Sequence, residues 1–190
     1  MSASFTIALD AMGGDNAPAI VVKGADLARR RFPNIRFRMF GDEARILPLI
    51  KRRKRLREIT EIMHTDDVIS SEMTVSVAIR KGRQSSMQLA INAVRDGDAE
   101  GVVSAGNTGA LMAMAKLSLR TLPGIHRPAI AAILPSIRGE SVMLDLGANV
   151  ECDAENLVQF AIMGDVFART VLGTVNPSCG LLNVGSEEMK

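Results

Sequence analysis

Four short polar segments that contain glycine follow apolar runs in this sequence, and their residue types are suited to binding anions. They are LDAMGGDN, SAGNTGA, LDLGANVEC and LNVGSEE. In open α/β sheets, ligands bind outside the carboxyl ends of the strands, where glycine lets the backbone turn sharply and approach a ligand. A helix that follows such a turn offers unbonded N–H groups. If the four segments share one edge of a sheet, they predict a crevice for anionic groups. The alternative is that each glycine only allows the chain to turn after a strand.

The first segment combines a glycine pair with two carboxylates. Gly13 and Gly14 predict a tight turn, and Asp15 or Asn16 is expected to cap the following helix. Asp10 is expected to orient a neighbouring cation.

The segment SAGNTGA is the strongest single indication of an anion-binding site in the sequence. Ser104, Gly106, Asn107 and Thr108 place one amide and two hydroxyls at the start of a predicted helix. Stabilising a phosphate or a tetrahedral oxyanion requires donors of this kind.

A third motif, KGRQSSM, places cations before a pair of serines. Lys81 and Arg83, the hydroxyls of Ser85 and Ser86 and the helix N-terminus would together form a cradle for an oxyanion. The alternative is an ordinary serine cap beside solvated basic residues.

The later part of the chain adds His126 and Arg127 in a loop, and Asp145 and Asn149 in the segment LDLGANVEC. His126 could act as a general base, although a lone histidine in a loop is more often solvated. Asp145 could meet Asp10 and Asp15 at a metal ion; the sequence near them adds no further carboxylate, and we expect no metal.

Two cysteines, Cys152 and Cys179, complete the reactive groups. A cysteine nucleophile could carry an acyl group as a thioester, but neither has a histidine beside it in the sequence. We therefore expect reduced, buried and inert thiols.

The elements that must position these residues alternate between strand and helix. This alternation predicts an α/β fold with a mostly parallel sheet covered on both faces. A short connection between two of the strands predicts one antiparallel pair, which makes the sheet mixed. The predicted strands are Phe5–Asp10, Ile35–Phe40, Ile59–Met63, Gly101–Ser104, Ile130–Leu134, Val142–Leu146 and Gly180–Val184. The predicted helices are Ala17–Arg31, a helix capped by Asp42 that runs to about Arg53, Met73–Arg80, Ser86–Arg95, Thr108–Leu119 and Ala154–Leu172.

Composition excludes several classes of protein. The 190 residues are 47% hydrophobic, which supports a sizeable core, whereas aromatic residues are only 3% and all are Phe. Aromatic base-stacking surfaces are therefore nearly excluded, and the core must be aliphatic and rich in methionine. Two Cys and two His cannot form a disulfide framework or repeated zinc modules. The P-loop and dinucleotide-binding fingerprints are absent, as are a signal peptide and an apolar run that could span a bilayer.

Charge is distributed unevenly along the chain. The segment from Lys23 to Arg57 carries an excess of ten positive charges, although the whole chain carries only +2. The densest part is Lys51–Arg57. It is either a solvated helix end and loop or a docking surface for an acidic partner, for which a nucleic acid and an acidic protein both qualify.

Seven motifs in this order resemble the PlsX family of acyl-acyl-carrier-protein:phosphate acyltransferases: DAMGGDNAP, KGRQSSM, SAGNTGALM, RPA, LDLGANVEC, QFAIMG and LLNVGSEE. The resemblance implies transfer of a long-chain acyl group from acyl carrier protein to inorganic phosphate. A membrane glycerol-3-phosphate acyltransferase then uses the acyl phosphate for phospholipid synthesis. The resemblance also implies a cytoplasmic homodimer, which is either free or bound at the membrane surface. It implies that the enzyme needs no organic cofactor. The implied fold is the three-layer α/β/α fold of isocitrate/isopropylmalate dehydrogenases, shared with phosphotransacetylases.

A direct mechanism joins the resemblance to the residues. The turns at Gly13–Asn16 and Ser104–Thr108 would hold phosphate, which attacks the thioester carbonyl. Lys81 and Arg127 would offset its charge, and the Asn107 amide or backbone N–H groups would stabilise the oxyanion. Asp10, Asp15 and Asp145 would act as orienting residues of the site. The acidic carrier protein would dock on a basic surface such as Lys51–Arg57.

Members of the family continue well past LLNVGSEE, so we expect residues 1–190 to form a single α/β domain that is incomplete at its C-terminal end. The alternatives are an inactive fragment of such an enzyme, a phosphotransacetylase-like enzyme that uses short acyl-CoA, and a nucleic-acid-binding fragment.

Overall fold

A computed structural model describes residues 4–137, 139–147, 149 and 152–182. The chain divides into two compact units, Met1–Arg120 and Thr121–Lys190. The single domain expected over residues 1–190 stays a prediction.

The first unit is built on a four-stranded parallel sheet in the order β3-β2-β1-β4. Its strands are β1 (Phe5–Asp10), β2 (Ile35–Gly41), β3 (Thr60–His64) and β4 (Gly101–Val103). Near the carboxyl ends, Leu9 of β1 lies opposite Val103 of β4, and Gly41 of β2 lies opposite His64 of β3. The carboxyl ends of neighbouring strands therefore meet at one edge of the sheet.

Helices connect these strands. They are α1 (Ala19–Arg31), α2 (Glu43–Lys51), α3 (Lys54–Arg57), α4 (Val75–Lys81), α5 (Ser86–Arg95) and α6 (Thr108–Leu119), with a short 3₁₀ turn at Gly82–Gln84 between α4 and α5.

Both faces of the sheet are covered. On one face Leu9, Phe37 and Met39 pack with Val22 of α1 and Ile46 of α2. On the other face Ala8 and Phe40 pack with Ala90 and Ala93 of α5, and a further apolar cluster joins α4, α5 and α6. The three-layer α/β/α arrangement is thus present in this unit, with the aliphatic, methionine-containing core that composition predicted.

The second unit contains β5 (Ala132–Ser136), β6 (Gly139–Met143) and α7 (Ala154–Val171). The two strands pair antiparallel, as predicted. Among the described residues they form a separate two-stranded sheet, so the mixed sheet is not seen. Strands β5 and β6 form backbone hydrogen bonds with each other across a short connection. Strand β4, at the edge of the parallel sheet, pairs with β1 over only three residues.

Two predicted elements differ from the structure in kind. The helix capped by Asp42 ends at Lys51, and a separate turn α3 follows, because Arg53 leaves the helical conformation (φ −120°, ψ 72°). Repulsion within the basic run disfavours one continuous helix. Of the predicted strand Gly180–Val184, residues 180–182 have no regular structure, and residues 183 and 184 lie outside the described residues.

Candidate functional site

Asp10 is the centre of the arrangement at the carboxyl edge of the parallel sheet. It is the last residue of β1 and only 2% exposed. Its Oδ1 accepts a hydrogen bond from Ser86 Oγ, and its Oδ2 accepts one from Ser104 Oγ, both at 2.6 Å. The backbone N–H of Met12 donates to Oδ1 at 3.3 Å. One buried carboxylate therefore joins three of the motifs singled out in the sequence.

The pairing of β1 with β4 explains why these motifs meet. The strands are parallel neighbours, so the turns that follow Asp10 and Val103 leave the sheet side by side. Gly13 lies so close to the second turn that a Cβ there would be 2.9 Å from Gly106 N. Gly14 has φ +94°, a conformation that favours glycine. The two glycines thus allow two backbone turns to touch, as a crevice for a small anion requires.

Asn107 holds the start of α6 and the preceding loop together. Its Oδ1 accepts from Ala110 N at 3.0 Å, which caps the helix. Its Nδ2 donates to the carbonyls of Ser71 (3.1 Å) and Met73 (2.9 Å). Both N–H groups of the amide are therefore engaged, and its contacts are those of a positioning residue rather than of the expected oxyanion donor.

The backbone N–H groups of Thr108 and Gly109 are open donors at the start of α6. Neither donates a hydrogen bond to another described residue. The Thr108 side chain is exposed and adds a hydroxyl. These are the unbonded donors that a helix N-terminus offers to an anion.

The serines of KGRQSSM point inward rather than toward an anion. Ser85 is fully buried, donates to Gly82 O at 2.7 Å and accepts from Gln88 N as the cap of α5. Ser86 is bound to Asp10. The alternative of an ordinary serine cap is correct for Ser85. Of the groups expected in the cradle, the two cations Lys81 and Arg83 are exposed and remain available to an anion.

Asp15 and Asn16 are exposed in the first turn. Neither caps α1, so that prediction is wrong: the N-cap position is Pro18, with no side-chain cap. The turn is closed by the backbone instead, through the Ala17 N–H to Gly14 O at 3.1 Å. Both polar side chains are left facing solvent.

In the second unit, Asp145 organises a different loop. Its Oδ1 accepts from Ile130 N at 3.1 Å, and its Oδ2 accepts from the backbone N and Nδ2 of Asn149 at 2.8 and 2.9 Å. Asn149 Nδ2 also donates to Pro128 O at 3.1 Å. The motifs RPA and LDLGANVEC are thereby joined, with Arg127 exposed beside them.

Cys152 and Cys179 are both exposed, so the expectation of buried thiols is wrong. Partial desolvation raises the pKa of the Cys152 thiol, with Asp145 and Asp153 adding to the rise and Arg127 opposing it. A raised pKa makes a poor thiolate nucleophile, in agreement with the expected inert thiol. His126 Nδ1 lies 3.7 Å from Glu155 Oε1, and both side chains are exposed.

The basic run Lys51–Arg57 lies at the opposite edge of the sheet from Asp10. It occupies the connection between the end of α2 and the start of β3, and connections that enter parallel strands lie at their amino ends. The seven residues of β2 put about 20 Å between the two edges. A partner docked on this run alone would therefore not touch the turns around Asp10.

Sequence reasoning missed two groups. The anchoring of loop 70–73 by Asn107 has no local sequence signal, because the partners are backbone carbonyls more than 30 residues away. The second group is Asp42, His64 and Asp66, whose ligand atoms lie within 4.8 Å of one another. No such group includes Asp10, Asp15 or Asp145 within the described ranges.

Comparisons with known proteins support the family resemblance that the sequence motifs indicated. A family model described as "Fatty acid synthesis protein" matches residues 5–190. A phosphate acyltransferase of Rhodospirillum centenum is 64% identical over all 190 residues, and one of Rhodospirillum rubrum is 62% identical. In both cases the match covers 100% of this chain and 54% of the relative, so the chain spans about half the length of these curated relatives.

The fold has a solved counterpart. A phosphotransacetylase from Streptococcus pyogenes aligns with a TM-score of 0.62 and 17% identity, over 84% of this chain and 52% of that protein. This likeness supports the phosphotransacetylase-like α/β fold. None of the helices in the described part of the chain is both long enough and apolar enough to cross a membrane.

Proposed function

Because this chain belongs to the fatty acid synthesis protein family, and its relatives are named phosphate acyltransferases, we propose that it serves acyl transfer to inorganic phosphate. The observation that carries the proposal is the contact between the β1 and β4 turns around Asp10, beside the open N–H groups of Thr108 and Gly109. This arrangement suits a small tetrahedral anion, which needs several converging donors and a close approach of backbone.

The proposed reaction is direct attack of phosphate on an acyl thioester. An oxygen of hydrogen phosphate forms a bond to the carbonyl carbon, the carbon–sulfur bond breaks, and the thiol leaves with the proton that hydrogen phosphate gives up. Phosphate is already an anion at neutral pH, so no strong general base is required. Lys81 and Arg127 are the cations proposed to offset its charge, and the N–H groups of Thr108 and Gly109 replace the Asn107 amide as proposed donors to the oxyanion.

We further propose that acyl carrier protein is the donor, that acyl phosphate is the product, and that a membrane glycerol-3-phosphate acyltransferase consumes it. A homodimer of the full-length form and the absence of an organic cofactor belong to the same proposal. Donor chemistry is tested by incubating the chain with phosphate and either a long-chain acyl carrier protein thioester or acetyl-CoA. Acyl phosphate is trapped with hydroxylamine.

The full-length relative from Rhodospirillum centenum is assayed in parallel. Product from the carrier thioester but not from acetyl-CoA supports the proposal. Product from acetyl-CoA alone would replace it with a phosphotransacetylase-like activity. Activity in the relative but not in this chain would support the alternative of an inactive fragment and reject turnover by this chain.

Thr108→Val tests the phosphate site itself. The Thr108 side chain is exposed and makes no hydrogen bond to another described residue, so the variant should fold normally. We expect a several-fold higher KM for phosphate, while Thr121→Val, at another exposed position, should behave as wild type. Equal KM values for the two variants would reject the Thr108 hydroxyl as a phosphate donor at the start of α6.

Carrier docking on Lys51–Arg57 is tested by charge reversal at exposed positions. Lys51→Glu, Arg52→Glu and Arg55→Glu together should raise the KM for the carrier thioester if the run is the docking surface. Lys23→Glu is the control. An unchanged KM for the carrier thioester in the triple variant would reject Lys51–Arg57 as the docking surface.

A further inference from the structure

We propose that Asp42, His64 and Asp66 form a binding site for a first-row divalent metal ion of the zinc class. One potential ligand atom from each residue lies within 4.8 Å of the other two. The inference concerns metal binding by itself and does not depend on the proposed function.

Strand register brings the three residues together. Gly41 of β2 lies opposite His64 of β3, so Asp42, the next residue after β2, lies beside the histidine. Asp66 follows two residues later, and its Oδ2 is 3.6 Å from His64 Nε2. Zinc bonds of about 2.0–2.1 Å in a tetrahedron put two ligand atoms about 3.4 Å apart. This pair is therefore already near the spacing that a shared metal requires.

Thr65 fixes the backbone between His64 and Asp66. Its side chain donates to Gln84 O at 2.6 Å and accepts from Asp67 N at 3.2 Å. Its own N–H donates to Gly41 O at 3.1 Å. Because Thr65 is 8% exposed and held at three points, little backbone ordering remains to oppose metal binding.

Charge at the site favours a cation. Asp42 and Asp66 make no ion pair with a lysine or arginine among the described residues, and the exposed carboxylate of Asp66 lies beside His64. Asp42 uses Oδ1 to accept from Arg45 N at 3.3 Å as the cap of α2, which leaves Oδ2 for a metal. Two carboxylates and one imidazole, with an open position for water, suit zinc-like ions better than magnesium.

Binding has one structural cost, which also gives it a signature. His64 Nδ1 accepts a hydrogen bond from Glu43 N at 3.3 Å. An imidazole that binds metal through Nε2 carries its proton on Nδ1, which then cannot accept a hydrogen bond. The Glu43 N–H must therefore donate to water instead. The amide resonance of Glu43 should therefore shift on titration together with the ring of His64.

The test is calorimetric titration of the untagged full chain with Zn²⁺. Cys152→Ser and Cys179→Ser are present throughout, because exposed thiols also bind zinc. We expect one equivalent of Zn²⁺ to bind, with affinity at least about tenfold weaker in His64→Ala, Asp66→Asn and Asp42→Asn. Asparagine caps helices as well as aspartate, so the last variant should keep α2 folded. A circular dichroism spectrum checks that each variant is folded.

His126→Ala is the matched control, because His126 is the other histidine of the chain and also lies beside a carboxylate. Retained binding in His126→Ala, and failure of excess Mg²⁺ to displace Zn²⁺, support the site. Undiminished binding in folded His64→Ala, absence of binding at millimolar Zn²⁺, or an unmoved Glu43 amide in the saturated protein would each overturn it.

Discussion

Gly13→Ala should destabilise the first unit because it places a methyl group where two turns already touch. The new Cβ would lie 2.5 Å from Asp10 Oδ2, 2.8 Å from Ser104 Oγ and 2.9 Å from Gly106 N. The first two atoms are bound to each other, and the third is backbone, so none can move aside freely. The φ of Gly13 lies outside the left-handed region, so the cost comes from crowding alone. Over-packing of this kind costs about 1–3 kcal/mol.

Gly24→Ala is the matched control. Gly24 lies inside α1, and a Cβ there would meet nothing within 4 Å. Alanine should therefore stabilise the helix by about 1 kcal/mol, which separates the two variants by about 2–4 kcal/mol. Urea unfolding is followed by circular dichroism at the helix band, because the chain has no Trp or Tyr. A Gly13→Ala midpoint equal to or above that of wild type would refute the predicted crowding.

Three further perturbations test other contacts. Ser86→Ala removes a hydroxyl from the buried Asp10 carboxylate and should cost about 1–3 kcal/mol in the urea-derived free energy of unfolding; a cost near zero would contradict that contact. Asn107→Asp keeps the cap of α6 but loses both N–H donors, so amide exchange over residues 70–73 should accelerate while that of α6 stays slow; unchanged exchange in the loop would count against the anchor. Burial opposes ionisation of Asp26, but hydrogen bonds from Arg29 and Arg30 outweigh it and lower its pKa. Because the folded pKa is depressed, the stability advantage of wild type over Asp26→Asn should be present at pH 7 and disappear as pH falls below about 4; a pH-independent difference in urea midpoints would show that the ion pairs contribute nothing.

Local sequence rules predicted the elements of the first unit well. Strand β1 begins and ends where predicted, and so do α5 and α6, because their boundaries carry strong signals: the glycine pair after Asp10, Ser85 before α5 and Asn107 before α6. The helix expected to continue past Lys51 was wrong, since propensity alone does not register repulsion among successive cations.

The candidate site was predicted less completely, for a physical reason. The sequence identified Asp10, Ser86 and Ser104 as polar residues at strand exits and a helix start, and the structure brings all three together. It could not show that the hydroxyls point inward to the carboxylate, because that orientation depends on contacts between residues 76 and 94 positions apart. Asn107 was assigned to the ligand for the same reason: its actual partners are carbonyls of a distant loop.

The carboxylate of Asp10 also has a consequence for how the protein is made. Its partners emerge from the ribosome 76 and 94 residues after it, so a nascent chain cannot satisfy this group until β4 has been synthesised. Until then the aspartate must stay hydrated, because a buried charge without partners is costly. The docking of β4 on β1 can therefore come only after the chain has been made as far as β4, and until then the open edge of β1 is exposed to other chains.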